Sequence, residues 1–440
     1  MNDERQVLGM KTAIIAGAGH GGLVAGRRLA QLGWRVILAE KGERETLGYD
    51  WEDTVPKFTL AEAGLPTPAD EDLSFMEQMC YFSANKKKPL VAPGGKSDTI
   101  IYADRRTLLQ KLLENAEESG VEMLFGCEIL WATYDLNRVT GVTCRYREET
   151  LTLKADLVID AAGMDSPVRR SLPARFGIER EISRLDTIHV WRGYYKNLTG
   201  ERAVPPYNVY FFHNGKPGMD WAITNEDNVD ILVGAFGHLL QCEIDAAVED
   251  FRAIYPYMGE TLIRGGYADH IPLRRTLPVF VFNGYAAVGN SACMTEPLSG
   301  SGLMLSVKAG NLLADVLKES DGDTTAWGLW PYNRDYIRTC AERYYDDLLI
   351  KKLLAGLKAE DIDFFIDKNI LTAKELCGSG EPYTVRGILE KANLLRRPDL
   401  LPGVARLGAG LALLPRVKAA LPEEYDREKL NRWREVADRL

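Results

Sequence analysis

The chain contains 440 residues, of which 46% are hydrophobic and 27% are charged, and its formal net charge is -9. This composition argues against intrinsic disorder, and an acidic chain without a long basic tract excludes an extended nucleic-acid-binding surface. The seven cysteines stand singly, without a CxxC pair, so no metal site is expected and a reducing, cytoplasmic compartment is indicated.

The first predicted element is a βαβ unit, "KTAIIAGAGHGGLVAGRRLAQLGWRVILAEK". It contains a strand over residues 12–16, a helix over residues 23–32 and a second strand that ends at Glu40. The glycine turn lets the backbone approach a pyrophosphate, and Glu40 can accept hydrogen bonds from a ribose diol. The pattern predicts dinucleotide binding; the alternative is a glycine turn in an unrelated α/β fold, and the motif does not separate NAD from FAD. The predicted cofactor residues in this unit are Gly17, Gly19, Gly21, Gly22, Glu40 and Lys41.

The middle of the chain contains further elements of an α/β fold. A polar and aromatic run, "LGYDWEDTVP", occupies residues 47–56, and a helix is predicted over residues 106–119. A return strand and a short antiparallel meander follow. The segment "DLVIDAAGMDSPVRR" then contains a continuous apolar strand, typical of a buried parallel strand, that ends in small residues and a polar turn.

The second half of the chain begins with a predicted antiparallel sheet. Residues 185–236 are rich in aromatic and β-branched side chains separated by turn sequences, and a helix is predicted over residues 244–255. In "AAVGNSACMTEPLSGSGLMLSVKAG", residues 286–310, a buried strand leads through a glycine-rich turn into a helix over residues 302–318. The positive end of that helix would favour a ligand group that carries negative charge.

Three segments in this order, GAGHGG with Glu40, DLVIDAAGMDSPVRR and VGNSACMTEPLSGSG, resemble a group of FAD-binding proteins. That group includes aromatic hydroxylases, squalene epoxidases, flavin-dependent halogenases and geranylgeranyl reductases. The sequences "DAAGMDSPVRR" and "PLSGSGLMLSVKAGNLLADVL" resemble those of the geranylgeranyl reductases most closely. The resemblance implies an α/β fold with a Rossmann-like, three-layer FAD-binding domain, an antiparallel β-sheet substrate domain and a helical C-terminal region. We predict residues 1–180 and 265–325 for the first domain, 181–264 for the second and 326–440 for the third.

The resemblance implies that FAD is held at both ends, because in this group the third segment crosses back to the ribityl chain and the flavin ring. Asn290 stands where the group has an acidic partner of the ribityl hydroxyls, and an amide still donates and accepts hydrogen bonds. Noncovalent FAD is expected, with His20 and Cys293 the residues placed by the motifs for a covalent link. The further implied cofactor residues are Arg105, Ile129, Gly163, Gly289, Asn290, Gly300, Gly302 and Leu303.

Candidate substrate and catalytic residues lie in several segments. The substrate-pocket sequence of geranylgeranyl reductases, Tyr-x-Trp-x-Phe-Pro, is partly present in "MDWAIT", where Trp221 matches the tryptophan. Trp221 and His213 are the predicted substrate-binding residues. In the 47–56 run, Tyr49 or one of the carboxyl groups of Asp50, Glu52 and Asp53 could protonate a substrate, and Tyr49 and Glu52 are the predicted catalytic residues. The alternative is a solvated acidic turn anchored by a tryptophan. Cys293 is a further catalytic candidate.

The favoured function is that of an FAD-dependent oxidoreductase that reduces a carbon–carbon double bond in a hydrophobic or conjugated substrate by hydride transfer from flavin N5. The alternatives are a flavin monooxygenase on the same scaffold and an FAD-containing electron-transfer subunit. No second dinucleotide motif is apparent, so an external donor, NAD(P)H, ferredoxin or a reduced flavin, is expected to supply electrons. The weakly amphipathic stretch at residues 400–421 indicates core or dimer packing, with peripheral membrane contact as the alternative.

Overall fold

The computed structural model describes residues 10–92, 99–376 and 396–440. Six of the cysteines lie within these ranges as free thiols, and Cys377 lies outside the described residues. The strands in chain order are β1 (Thr12–Ala16), β2 (Arg35–Glu40), β3 (Glu52–Pro56), β4 (Met79–Phe82), β5 (Leu90–Val91), β6 (Ile100–Asp104), β7 (Glu122–Phe125), β8 (Glu128–Tyr134), β9 (Val139–Tyr146), β10 (Glu149–Lys154), β11 (Leu157–Asp160), β12 (Thr187–Asn197), β13 (Tyr207–Phe211), β14 (Met219–Thr224), β15 (Asn228–Phe236), β16 (Met258–Pro272), β17 (Val281–Phe282) and β18 (Tyr285–Ala287).

The helices begin and end where the sequence provides caps and apolar faces. Asp104, for example, caps one helix by accepting a hydrogen bond from the backbone N–H of Thr107 at 2.8 Å. The helices in chain order are α1 (His20–Gln31), α2 (Phe58–Glu62), α3 (Arg105–Glu118), α4 (Pro167–Ser171), α5 (Gln241–Ile254), α6 (Leu303–Glu319), α7 (Ala326–Tyr336), α8 (Tyr345–Ala355), α9 (Ala359–Asp367), α10 (Ala373–Leu376), α11 (Leu401–Ala419) and α12 (Arg427–Ala437).

A six-stranded sheet forms the centre of the cofactor-binding part, with the strand order β17-β18-β11-β1-β2-β7. Adjacent strands of this sheet are parallel, except for β17 and β18, which form an antiparallel hairpin. The apolar residues of β1 and β11 are fully buried, as expected for parallel strands that are covered on both faces. Helix α1 packs against α3 and α6, so the segments that contain the first and third motifs are in direct contact.

A seven-stranded sheet forms the second part, in the order β16-β12-β15-β14-β13-β4-β5. It is antiparallel except between β13 and β4. Strands β4 and β5 lie far outside the predicted 181–264 segment, and β16 extends to Pro272. Strands β4 and β5 could not be predicted from the sequence, because strands of four and two residues are too short to show a strand period.

Two small sheets and a helical region complete the fold. Strands β8, β9 and β10 form an antiparallel meander, and β3 pairs with β6. Helices α7 to α12 form the C-terminal region, in which α11 packs against α8. The segment Pro398–Ala419 is long and apolar enough to cross a membrane, but one such helix is weak evidence because a core helix passes the same test.

Candidate functional site

The first glycine turn connects β1 to α1 in a conformation that larger residues rarely adopt. Gly17 has a φ of 92°, in the left-handed region, and its N–H donates to the carbonyl of Ala39 at 2.8 Å. A Cβ on Gly22 would lie 2.7 Å from Cβ of Ala161, so a side chain there would push the helix away from β11. A Cβ on Gly21 would lie 2.6 Å from the carbonyl oxygen of Ser306. The structure therefore gives Gly21 a role in packing α1 against α6.

Among the described residues, no side chain caps the N-terminus of α1 or of α6. Gly19 and Gly302 are their N-cap residues, neither helix has a side-chain cap, and neither has an acidic residue in its first turn. A helix N-terminus has a partial positive charge and unsatisfied N–H groups. Two such termini in contacting helices fit a ligand with a pyrophosphate at one end and an electron-rich ring at the other.

Glu40 is fixed at the end of β2 by two backbone groups. Its Oε2 accepts a hydrogen bond from the N–H of Ala18 at 2.9 Å, and its Oε1 accepts one from the N–H of Gly42 at 2.8 Å. A carboxylate has further lone pairs, so Glu40 can also accept from a ribose diol. Lys41 is exposed in a neighbouring surface pocket, and Ile129 is buried in β8, where it pairs with Cys144 of β9.

The ion pair of Arg105 and Asp53 lies beside His20 at the first turn. Arg105 donates from Nε and Nη2 to the two carboxylate oxygens of Asp53, both at 2.7 Å. Burial and the positive charge of Arg105 lower the pKa of His20 to about 4, so its ring is neutral near pH 7. The Nε2 atom of His20 is buried without a hydrogen-bond partner in the described part of the chain. An unpartnered buried polar atom costs about 1–3 kcal/mol, so a bound polar group at this turn would stabilise the site.

Arg169 connects the second motif to the third. Gly163 and Ser291 exchange hydrogen bonds, because the N–H of Gly163 donates to Ser291 Oγ at 2.9 Å and that hydroxyl donates to the Gly163 carbonyl at 3.1 Å. The fully buried guanidinium of Arg169 donates to the carbonyls of Ser291 at 2.6 Å, Arg180 at 3.2 Å and Met164. Arg169 therefore fixes the two turns relative to each other. The pattern "SPVRR" does not by itself predict this role of Arg169, because the acceptor carbonyls lie in other segments.

Asn290 of the third motif lies in space beside the N-terminus of α6. Gly289 and Asn290 belong to a short turn over residues 289–292, and a Cβ on Gly302 would lie 3.6 Å from Asn290 Oδ1. Gly300 has a φ of 76° in the turn that leads to Leu303, the first residue of α6. The amide of Asn290 is thus next to the uncapped helix N-terminus, where it can bind a polar ligand group.

Cys293, a catalytic candidate, lies in the protein core. It adopts a left-handed conformation with a φ of 56° and has no exposed surface. Burial raises the pKa of its thiol to about 11, although Arg274 and Arg169 act in the opposite direction. A buried, protonated thiol is a poor nucleophile, so the structure gives no support to a catalytic role or a covalent flavin link at Cys293.

The run at residues 49–53 is packed and ion-paired rather than solvated. Tyr49 stacks on Trp51 with 4.8 Å between ring centroids, and Trp51 is buried. Arg264 pairs with Asp50 at 2.9 Å and with Asp104 at 2.7 Å. The guanidinium groups of arginines that are distant in sequence therefore neutralise the acidic residues of this run.

Tyr49 and Glu52 differ as proton donors. Burial, together with a hydrogen bond to Asp269, raises the pKa of Tyr49 to about 12, so its hydroxyl stays protonated. Burial and the nearby charge of Asp230 raise the pKa of Glu52 above the ordinary value of a carboxyl group, although Arg264 opposes this change with its Nη1 at 3.8 Å from Oε1. Glu52 therefore releases its proton at a higher pH than an exposed glutamate, as a general acid requires.

Trp221 and His213 lie on opposite faces of the seven-stranded sheet. Adjacent residues of a strand point to opposite faces, and His213 Nδ1 contacts Asp220, the neighbour of Trp221 in β14, at 2.6 Å. His213 Nε2 contacts Asp250 of α5 at 2.5 Å. Both ring nitrogens of His213 therefore contact carboxylates, one in β14 and one in α5. His213 does not lie on the sheet face that carries Trp221.

Trp221 belongs to an apolar group around Trp51, called here the Trp51 cluster. Both tryptophans have a buried indole N–H without a hydrogen-bond partner among the described residues. The guanidinium of Arg192, paired with Asp230, lies 5.2 Å from the ring centroid of Trp221. The cluster consists of Trp51, Ile188, Val190, Tyr194, Leu232 and Leu273, with Tyr49, Trp221, Phe236 and Ile271 packed against it.

A small pocket with a cavity volume of about 40 Å³ lies between this sheet face and the C-terminal helices. We call it the sheet–helix pocket. Leu298, from the glycine-rich turn of the third motif, contributes to its wall, so the pocket adjoins that turn. Apolar walls with few polar groups are typical of small-molecule sites. Its lining residues are Ile188, Phe211, Phe212, Pro217, Gly218, Met219, Phe236, Leu273, Leu298, Lys351, Leu354 and Ile362.

Comparison with known proteins identifies the cofactor. Residues 10–225 match the family model described as an FAD binding domain. The chain is 22% identical over 453 residues to the digeranylgeranylglycerophospholipid reductase of Sulfolobus acidocaldarius, covering 97% of this chain and 96% of that protein.

Solved structures have the same fold. A geranylgeranyl bacteriochlorophyll reductase-like protein from Thermoplasma acidophilum superimposes with a TM-score of 0.72 at 18% identity, covering 91% of this chain and 100% of the other. The myxobacterial chondrochloren halogenase CndH superimposes with a TM-score of 0.62 at 17% identity, covering 98% and 97%. At these identities the superpositions establish the fold.

Proposed function

We propose that this FAD-dependent oxidoreductase, whose residues 10–225 match an FAD binding domain, reduces a carbon–carbon double bond of an apolar substrate bound at the sheet–helix pocket. The observation that supports this most directly is the apolar wall of that pocket next to Leu298 of the third motif. The names of the reductase relatives, which refer to geranylgeranyl groups, favour an unsaturated isoprenoid chain as the substrate.

The residues of this chain fit FAD at each of its parts. The uncapped N-terminus of α1 would face the pyrophosphate, Glu40 would accept hydrogen bonds from the adenosine ribose, and the N-terminus of α6 with Asn290 would lie at the flavin end. When bound, FAD supplies the site that accepts and donates a hydride. An external reductant, NAD(P)H, ferredoxin or a reduced flavin, completes the cycle.

The protein side of the reaction is binding, exclusion of water and proton delivery. The apolar lining of the pocket orients a hydrocarbon chain and excludes water. Glu52 is the proposed proton donor because its pKa is raised and its N–H donates to the hydroxyl of Tyr194, a member of the Trp51 cluster, at 2.8 Å. The hydroxyl of Tyr49, bound to Asp269, is the second candidate.

The experiment that tests this function compares oxygen with an unsaturated substrate. The purified FAD-loaded protein is reduced without oxygen and mixed rapidly either with geranylgeraniol under anaerobic conditions or with oxygenated buffer. The proposal predicts that the alkene oxidises the flavin and gains two hydrogens, while oxygen reacts slowly and yields no oxygenated product. Fast oxidation by oxygen, coupled to hydroxylation or epoxidation of the substrate, would favour the monooxygenase instead.

We also propose that the protein is cytoplasmic. Its single cysteines and the free thiols of the described residues suit a reducing compartment. Cell fractionation checks this location, and recovery of the protein in a membrane fraction that resists salt would direct attention to the helix within Pro398–Ala419.

A further inference from the structure

Positively charged side chains gather between α8, α12 and two further segments of the chain. Arg275 donates a hydrogen bond to Asp438, which directly follows α12. Lys351 of α8 has its Nζ 3.8 Å from Asp186 Oδ1. The tertiary structure therefore brings together charges from distant parts of the sequence. We call this group the cation cluster, and it consists of Arg274, Arg275, Lys351, Lys352 and Arg434.

The cation cluster has more positive charge than its carboxylates balance. Among the described residues, the carboxylates in this group are Glu179, Asp186 and Asp438. Arg274 donates to both oxygens of Glu179, at 2.6 and 2.9 Å. Asp186 is shared, because it lies 3.8 Å from Lys351 Nζ and 3.9 Å from Arg274 Nη1. The cluster therefore has two more cations than carboxylates, in a chain whose formal net charge is -9.

Lys352 is the exposed member of the cation cluster. Among the described residues it has neither a hydrogen bond nor an ion pair within 4 Å. Partial burial lowers the pKa of its ammonium group; Asp186 opposes this change, and the charges of Arg275 and Arg274 add to it. An ammonium has three N–H donors. Lys352 can therefore donate to an anion that approaches from the surface.

Two guanidinium groups of the cluster have N–H groups without an acceptor. Arg275 Nη1 and Arg434 Nε are buried and have no hydrogen-bond partner in the described part of the chain. The Arg275 side chain is 9% exposed, and its partner Asp438 has a side chain that is 66% exposed. A buried donor without an acceptor is unfavourable. A bound anion would supply the missing acceptors and balance the excess charge.

We propose that the cation cluster binds a phosphate group with two negative charges, held by Lys352 and by the guanidinium groups of Arg275 and Arg434. The site lies at the outer side of α8 and does not use the cavity of the sheet–helix pocket. The inference goes beyond the proposed function and does not depend on the reductase reaction.

A phosphate fits the cation cluster better than a carboxylate does. A phosphate dianion balances both excess positive charges, whereas a carboxylate leaves one of them unbalanced. Its oxygen atoms also point in several directions, so they can accept from an ammonium and from two planar guanidinium groups at once. A free phosphate compound and the headgroup of a phospholipid share this chemistry.

The test measures binding of inorganic phosphate and of acetate to the FAD-loaded protein by calorimetry, at about pH 8 and constant ionic strength, where phosphate has close to two negative charges. We expect phosphate to bind at least tenfold more tightly than acetate. Lys352→Met should weaken phosphate binding at least tenfold. Lys111→Met, which removes an exposed lysine of α3, is the matched control and should change it less than twofold.

A second variant should act in the opposite direction. Asp438→Asn removes a carboxylate from the cluster, so phosphate should bind at least threefold more tightly, a gain that a damaged protein would not show. Equal affinities for phosphate and acetate, unchanged binding in Lys352→Met, an equal effect of Lys111→Met, or no gain in Asp438→Asn would each overturn the proposal.

Vesicles of phosphatidylcholine, with and without phosphatidic acid, identify the source of the phosphate. Sedimentation of the protein only with phosphatidic acid, reversed by inorganic phosphate and lost in Lys352→Met, would support the site and assign it to a lipid headgroup. Binding of inorganic phosphate without sedimentation would support the site and assign it to a soluble phosphate compound. Absence of both would reject it.

Discussion

At the scale of single residues, Gly22 shows why the first turn tolerates no side chain. Valine at this position would bring its Cβ within 2.7 Å of Ala161 and 3.0 Å of Ile15, both in fully packed strands or turns of the sheet. We expect Gly22→Val to retain less than a tenth of the wild-type FAD content, measured as the ratio of flavin to protein absorbance. Gly33→Asn is the control, because Gly33 has open space around it and asparagine tolerates the left-handed region; equal FAD contents in both variants would contradict the packing argument.

The lowered pKa of His20 predicts how the free energy of unfolding depends on pH. Its folded-state pKa of about 4 lies below the ordinary 6.5, so the folded protein binds fewer protons than the unfolded chain between these values. The free energy of unfolding should therefore fall as the pH decreases from about 6.5 towards 4, by at most about 3 kcal/mol from this group. Urea unfolding of wild type and His20→Asn at pH 7 and pH 4.5 measures this, and the variant should lose less stability; equal losses would remove His20 from the explanation.

The proposed role of Glu52 as the proton donor predicts the effect of its substitution on turnover. If it protonates the substrate, Glu52→Gln should lower turnover about 100-fold or more, the usual effect of losing a general acid. Because its pKa is raised, the protonated form is lost only as the pH increases through that raised value, and the wild-type rate should fall there. Tyr49→Phe is expected to reduce turnover less than tenfold. Unchanged turnover in both variants would exclude this loop from the mechanism.

At the scale of elements, Arg169 joins two turns that are far apart in the sequence. Arg169→Met leaves three carbonyl acceptors without their charged donor, in Ser291, Arg180 and Met164. Since a hydrogen bond to a charged group contributes about 1.5–3 kcal/mol, we expect a loss of at least about 3 kcal/mol in the free energy of unfolding.

The measurement for Arg169 is urea unfolding combined with FAD content. Arg170→Met is the matched control, because Arg170 is partly exposed and its ion pairs with Asp165 and Glu181 are at the surface. The control should lose less than about 1 kcal/mol and retain its FAD. Comparable losses in the two variants would contradict the role given to Arg169.

The same elements indicate how far a sequence determines this site. The βαβ unit, the buried strand of "DLVID" and the third turn could be predicted because each combines a local hydrophobic pattern with glycines at a fixed spacing. The side of the sheet on which His213 lies could not be predicted. It depends on the contact of His213 with Asp220, across a turn in which Phe212 has a left-handed conformation. Strands β4 and β5 are defined by their partners rather than by their own pattern.

At the scale of the whole molecule, the pocket joins segments that are distant in sequence. Residues from the sheet, the third motif and helices α8 and α9 meet at its wall, so only the tertiary structure shows it. Lys351 illustrates the difficulty: in "DDLLIKKLLAG" the two lysines look equivalent, and burial alone separates Lys351 from Lys352. FAD binding was predictable and is confirmed by the family match, because its contacts come largely from local turns.

The most direct measurement of the central claim is a single turnover without oxygen. The FAD-loaded protein is reduced chemically, freed of excess reductant and mixed with an unsaturated apolar substrate, while the visible absorbance of oxidised FAD and the mass of the product are followed. The account predicts that oxidised FAD returns in step with a product that has gained two hydrogens. If FAD stays reduced with every unsaturated substrate, and oxidises only with oxygen or with a partner protein, the molecule is not a double-bond reductase.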